Sequence, residues 1–150
     1  MIRHFDRLDL RRLKPNGFTS TSNLGWIIDD PSFYKQTLED DETGAVLCVI
    51  IFKPYADKNF VGFFLMGQDI APIHARQLRR FVENVIIDFE MDRLQTDSID
   101  CDLLNRWHKF LGFAFEGTRK KMMMGKDYNM WAIVPERQAQ PVDLSLCGGM

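Results

Sequence analysis

The segment Cys101-Asp102-Leu103-Leu104-Asn105-Arg106-Trp107-His108-Lys109-Phe110-Leu111-Gly112-Phe113, continued by Ala114-Phe115-Glu116-Gly117-Thr118, decides the fold. Leu103, Leu104, Trp107 and Leu111 recur at helical spacing, and Gly112 stands where helices commonly end. The aromatic run that follows predicts a strand. Together they read as a helix-to-strand corner, a unit that any α/β domain needs.

Upstream, Pro72 to about Met91 predicts a long amphipathic helix, with Leu78, Phe81, Val82, Val85, Ile86 and Phe89 on one stripe. Leu94 to Ile99 predicts a strand between that helix and the corner. Before the long helix, Phe33–Leu38 and Ala45–Phe52 flank the turn Asp40-Asp41-Glu42-Thr43-Gly44 and read as a hairpin. Pro54 to Asn59 closes the second of these strands. Phe60–Met66 then supplies a strand apolar on both faces, hence central. At the N-terminus, Ile2–Phe5 is a short strand, and Leu8, Leu10 and Leu13 among basic residues give a short helix ended before Pro15-Asn16-Gly17. Thr19 to Asn23 reads as a turn, and Gly25-Trp26-Ile27-Ile28 as a brief ordered piece of unassigned type. Downstream, Phe113 to about Met123 and Tyr128–Val134 are strands around Gly125-Lys126-Asp127, and Pro135 ends the second.

The order is strand, helix, three strands, helix, strand, helix, two strands. It implies one α/β (α+β) domain over residues 1–135, with a mixed, mainly antiparallel sheet flanked by helices, and a loosely held tail over 136–150. A chain of 150 residues, 45% hydrophobic, is long enough for one sizeable core. The formal charge of −2 gives no global electrostatic case for nucleic acid. The local basic group Arg3, Arg7, Arg11, Arg12 and Lys14 comes without an aromatic platform. Cys48, Cys101 and Cys147 are odd in number and lack metal-site spacing, so neither disulfides nor zinc are expected. No apolar run approaches the roughly 18 to 20 residues of a membrane span, and residues 1–6 lack a signal-peptide core. The expectation is a soluble, intracellular protein.

The corner and the element order resemble those of the GNAT acetyltransferase superfamily, in which a helix ending in Leu-Gly-Phe precedes a strand that often carries Glu-Gly. Within it, Gly62-Phe63-Phe64-Leu65-Met66-Gly67 and Arg106 to Phe113 look most like the divergent GNAT-like proteins of tailed phages, some of which are virion components. The resemblance implies acetyl-CoA as donor. It places the donor's pantetheine along Phe64, Leu65 and Met66, and its pyrophosphate on the loop and helix start, with Gly67, Ala71, Ala75 and Arg76 as binding residues. The loop Gly67-Gln68-Asp69-Ile70-Ala71-Pro72-Ile73-His74-Ala75-Arg76 departs from the superfamily's Arg/Gln-x-x-Gly-x-Gly/Ala pattern. Asp69 would repel phosphate.

Counted back from Gly112-Phe113, the superfamily's pantetheine-contacting asparagine falls on Cys101 and is absent. Its tyrosine, which protonates the departing thiolate, falls on His108, a residue able to donate a proton near neutrality. The amine must be made neutral, and Glu39 and Glu116 are the candidate bases. No metal cluster, Ser/His/Asp triad or Walker loop is present.

The hairpin Lys120 to Trp131 gathers four methionines and three lysines near a turn. Alternation would send half of its side chains to the core. The other reading is a protein-binding surface from Met122 to Met130, methionine being adaptable at contact surfaces. Two functions follow: an N-acetyltransferase acting on an amine, or a non-catalytic GNAT-like phage protein serving as a virion component or protein-binding module.

Overall fold

The computed structural model describes residues 1–14 and 28–135. Among the described residues, ten elements occur in the expected order: β1 (Ile2–His4), α1 (Asp9–Arg12), β2 (Tyr34–Glu39), β3 (Val46–Ala56), β4 (Asn59–Met66), α2 (Pro72–Asp88), β5 (Arg93–Ile99), α3 (Asp102–Phe110), β6 (Ala114–Met123) and β7 (Lys126–Ile133). The expected turn Thr19–Asn23, most of the piece Gly25–Ile28 and the tail 136–150 lie outside the described residues.

The strands form one seven-stranded sheet in the order β1-β2-β3-β4-β5-β7-β6. All neighbours are antiparallel except β4 and β5, which are parallel. Side chains of β3 alternate between two cores. Cys48, Ile50 and Phe52 face α2, whose Leu78, Val82 and Val85 are buried with Leu94, Leu111, Phe113 and Trp131. Val49 and Ile51 face the other side, where Leu10 and Leu13 from the α1 region pack with Phe33 and Leu65. Both faces of β3 and β4 are thus covered, which is why these strands read as continuous apolar runs.

Several boundaries differ from the sequence expectation for identifiable reasons. The strand expected to stop at Phe52 continues to Ala56 and carries Pro54, which pairs with Phe60 of β4. The register of β2 begins at Tyr34 opposite Phe52, so Pro54 lies past its end and costs no bond of that ladder. The helix expected to reach Met91 ends at Asp88. Glu90 adopts φ +50°, its N–H donates to Ile87 O at 3.1 Å, and the Met91 N–H donates to Ile86 O at 2.9 Å. That is a Schellman ending without glycine, sealed by Met91, which is buried. The expected basic N-terminal helix is a single turn.

The hairpin expectation also changes. Alternation does not bury the methionines of the β6–β7 hairpin: Met122, Met123 and Met124 are all exposed, and Met130 of β7 is half-buried. β6 is the last strand of the sheet, is interrupted by two register shifts, and carries no packed layer along most of its length.

Candidate functional site

The parallel pair β4–β5 is joined for only three residue pairs, Asn59↔Arg93, Phe60↔Leu94 and Val61↔Gln95. Both strands continue past that point, β4 to Met66 and β5 to Ile99, without pairing to each other. A fork opens in the sheet. From Gly62 onward β4 is bonded to β3 on one side only, so its other main-chain edge faces the gap.

A cleft of about 230 Å³ fills the fork. Alternation assigns its walls to two faces. On the α2 and α3 side stand Phe64, Met66, Thr96, Ser98, Leu104, Trp107 and His108; on the opposite side stand Phe63, Asp97, Ile99 and Tyr128. An apolar groove of about 340 Å³ adjoins it, sharing Met66, Leu104 and Trp107 and continuing along Gly67, Ile70, Ala71, Pro72, Ala75 and Leu103. Two buried polar atoms in these walls have no partner among the described residues: Ser98 Oγ and Trp107 Nε1. Gln77 Oε1 and Trp131 Nε1, whose residues do not line the cleft, are likewise unpaired.

The corner positions His108. Gly112, at φ +99°, donates its N–H to Lys109 O at 3.1 Å, and Phe113 donates to His108 O at 3.0 Å, a Schellman ending that fixes the last turn of α3. The imidazole is 4% exposed, stacks on Trp131 with ring centroids 5.5 Å apart, and meets the Phe113 ring edge-on. Its Nδ1 lies 2.7 Å from Leu104 O. A carbonyl only accepts, so the neutral ring carries its proton on Nδ1 and Nε2 is an acceptor. Burial, outweighing that hydrogen bond, lowers the histidine below its ordinary value. The neutral ring therefore presents Nε2 as a hydrogen-bond acceptor.

The two carboxylates named from sequence are elsewhere. Glu39, at the end of β2, is ion-paired with Arg3, whose guanidinium also grips the buried Asp9. Glu116, on β6, is held by both Arg93 terminal nitrogens and by that pairing lies below the usual carboxylate range. Neither lines the cleft. Among the described residues no group of His, Cys, Asp and Glu is arranged to hold a metal, and no helix is long and apolar enough to cross a membrane.

In sequence the chain matches no protein-family model and no curated protein. In shape it matches many solved structures. One is a chimera of the spermidine N-acetyltransferase SpeG from Vibrio cholerae with hSSAT, at TM-score 0.69 and 13% identity over 89% of this chain and 94% of that one. Another is a GNAT-family acetyltransferase from Bacillus anthracis, at TM-score 0.64 and 13% identity over 89% and 93%. A third is the self-immunity acetyltransferase MccE in complex with acetyl-CoA and AMP, at TM-score 0.58 and 16% identity over 69% and 62%. The fold is that of the GNAT acetyltransferases.

In the loop after β4 and the start of α2, the amides of Gly67, Gln68, Ala71, His74 and Ala75 are engaged within the chain, whereas those of Asp69, Ile70 and Ile73 have no partner among the described residues. Gly67 N–H donates to Leu47 O at 2.7 Å and Gln68 N–H to Lys14 O at 2.9 Å. Ala71 N–H donates to His74 Nδ1 at 3.0 Å, Pro72 has no N–H, and the His74 and Ala75 amides bond Ala71 O. His74 Nε2 in turn lies 3.2 Å from the Asp40 carboxylate of the β2–β3 turn. Gly67 is required by its neighbours: a Cβ there would sit 2.7 Å from Leu47 O. Of the residues named from sequence, Phe64, Leu65, Met66 and His108 line the cleft and Gly67, Ala71 and Ala75 the groove, while Arg76 lines neither; Phe63, Asp97, Ser98, Trp107 and Tyr128 carry no motif and converge on the cleft because the sheet forks.

Proposed function

We propose that the chain is an N-acyltransferase that moves an acetyl group from a pantetheine thioester to an amine, with the forked sheet as its active site. The observation that carries this reading is the two-sided cleft. One side continues into an apolar groove and the other opens on Asp97 and the half-exposed ring of Phe63. The first suits an extended thioester arm whose amides pair with the unpaired edge of β4. The second suits a cationic amine, held by carboxylate and aromatic faces.

The nitrogen that reacts has already released its ammonium proton to solvent, and His108 Nε2 accepts the proton that this neutral amine loses as the new C–N bond forms. The C–S bond breaks, and the buried imidazolium, disfavoured where it stands, returns that proton to the departing sulfur. Amine and thioester thus become amide and thiol with no proton left over. His108 is the catalytic residue of this scheme, Asp97 an acceptor-binding residue and Ser98 a hydrogen-bond partner for either ligand.

The experiment is thiol release from acetyl-CoA and acetyl-pantetheine across a panel of mono- and diamines, with Asp97→Asn beside the wild type. Turnover that favours cationic acceptors and loses that preference in Asp97→Asn is expected. No thiol release with any amine, together with no binding of either thioester, overturns the reading.

A second reading, a non-catalytic protein-binding module of the kind found among tailed phages, draws on the exposed Met122, Met123 and Met124 beside Lys120, Lys121 and Lys126. Adaptable apolar side chains ringed by lysines suit an acidic protein surface. Loss of partner capture on Met123→Glu and Met124→Glu, with thioester binding intact, is its expected signature.

A further inference from the structure

We infer that Trp131 is a positioning residue for the transfer: the face of its indole, stacked on His108, holds the imidazole in the cleft and stabilises the imidazolium that forms there when Nε2 takes the amine proton. The inference rests on the reading of the fork as an acyl-transfer site with His108 as its base.

The two rings are close to parallel, with 13° between their planes and centroids 5.5 Å apart. A cation within about 6 Å of an aromatic centroid is attracted to the ring face, and tryptophan has the strongest face of the aromatic side chains. The attraction grows where water is excluded, and both residues are buried. The platform is held from two sides. Trp131 sits in β7 opposite Thr96 of β5 and opposite Phe115 of β6, and the Phe115 ring packs on it at 67°. Its Nε1 has no partner among the described residues and Trp131 is not a wall of the cleft, so it meets the reaction through its ring face and through His108.

On the same face of the sheet the cleft is walled by Phe64, Met66, Thr96, Ser98, Leu104 and Trp107, none of which titrates. Phe113 meets the imidazole edge-on from the corner. Asp97 and Tyr128 line the opposite face, and Arg106 and Lys109 of α3 itself are exposed. Among the described residues this face therefore holds no carboxylate to support an imidazolium. Two features without formal charge stand in its place: the indole face, and the end of α3, whose last turn carries His108 and whose partial negative charge favours a cation. Burial still lowers the histidine, so the ring rests neutral and releases the proton again.

The test is NMR titration of the His108 imidazole in the full chain, told apart from His4 and His74 by its loss in His108→Phe, for the wild type, Trp131→Phe and Trp131→Leu. The midpoint of protonation should be highest in the wild type, lower in Trp131→Phe, whose ring face is weaker, and lowest in Trp131→Leu. Should the leucine variant fail to fold, the phenylalanine variant decides alone. In thiol-release assays Trp131→Leu should lower kcat by about tenfold, with the KM for the thioester little changed. A midpoint that stays or rises in the variants makes Trp131 a shield from water only and overturns the inference. So does a wild-type ring that stays neutral down to the pH of unfolding, or a kcat equal to wild type in a variant whose midpoint has fallen. The titration uses neither substrate nor turnover, so its failure leaves the acyl-transfer reading standing. A wild type that releases no thiol from either thioester removes that reading, and the role assigned to Trp131 with it.

Discussion

The amide of Phe113 donates to the carbonyl of His108 at 3.0 Å, so the bond that closes α3 is made to the residue whose imidazole stands in the cleft. The corner that ends the helix also sets the height of the ring above Trp131.

Replacing His108 with Phe keeps the stack on Trp131 and removes Nε2. Turnover should fall by roughly 100-fold or more, with thioester affinity nearly unchanged. Unaltered turnover in steady-state assays would take His108 out of the mechanism.

The pH profile follows from the same burial. The neutral ring is the working form and its folded value lies below the ordinary one. Activity is therefore complete above about pH 6.5 and is lost as pH falls through the lower folded value. The ring's contribution to stability runs the same way, because the unfolded chain binds the proton more readily. An acidic limb of kcat/KM centred above about pH 7 would contradict this assignment.

Asp9 is fully buried, accepts both terminal nitrogens of Arg3 at 2.8 and 2.9 Å, and takes bonds from Asp6 N and Thr37 Oγ1. Burial alone would raise its carboxyl, and these bonds outweigh it and hold the group low. Asp9→Asn should cost about 3 kcal/mol at neutral pH in urea unfolding. The gap between variant and wild type should be complete above pH ~4 and shrink as pH falls through the folded value.

Gly112→Ala forces a side chain into φ +99° at the turn that positions His108. A loss of about 1 to 2 kcal/mol and a melting point lower by several degrees are expected in a thermal scan. Wild-type stability would show that the turn relaxes without it.

His74→Ala removes the acceptor of the Ala71 N–H and unties Asp40 from α2. Stability should drop by about 1 kcal/mol. A thermal or urea unfolding curve that matches the wild type would deny His74 its part in tying Asp40 to α2.

The fold was legible because its long elements carry strong periods. Leu78, Val82 and Val85 mark α2, the run Val46–Phe52 marks a doubly covered strand, and Gly112 marks the end of α3. Ends without a sequence marker were misread: Glu90 takes the left-handed position that glycine usually holds, so α2 was expected to run on to Met91. The site was half legible. His108 follows from its place in the corner, but which nitrogen carries the proton depends on Leu104 O, four residues back along the helix. Asp97, Ser98 and Phe63 have no local signal, since their convergence depends on where two strands stop pairing. The lysines and methionines of β6 were read by alternation, which fails on a last strand with nothing packed over it.

The fork has a root as well as a mouth. Gly62 lies just beyond the last paired residues, where an added Cβ would sit 3.1 Å from the Phe52 ring and 3.3 Å from Leu94. The two strands behave like the arms of a pair of tongs, and their aperture is set at that pivot. Selection for a wider or narrower substrate can therefore act at Gly62, Phe52 or Leu94, deep in the core, and leave every residue that touches the ligand as it is.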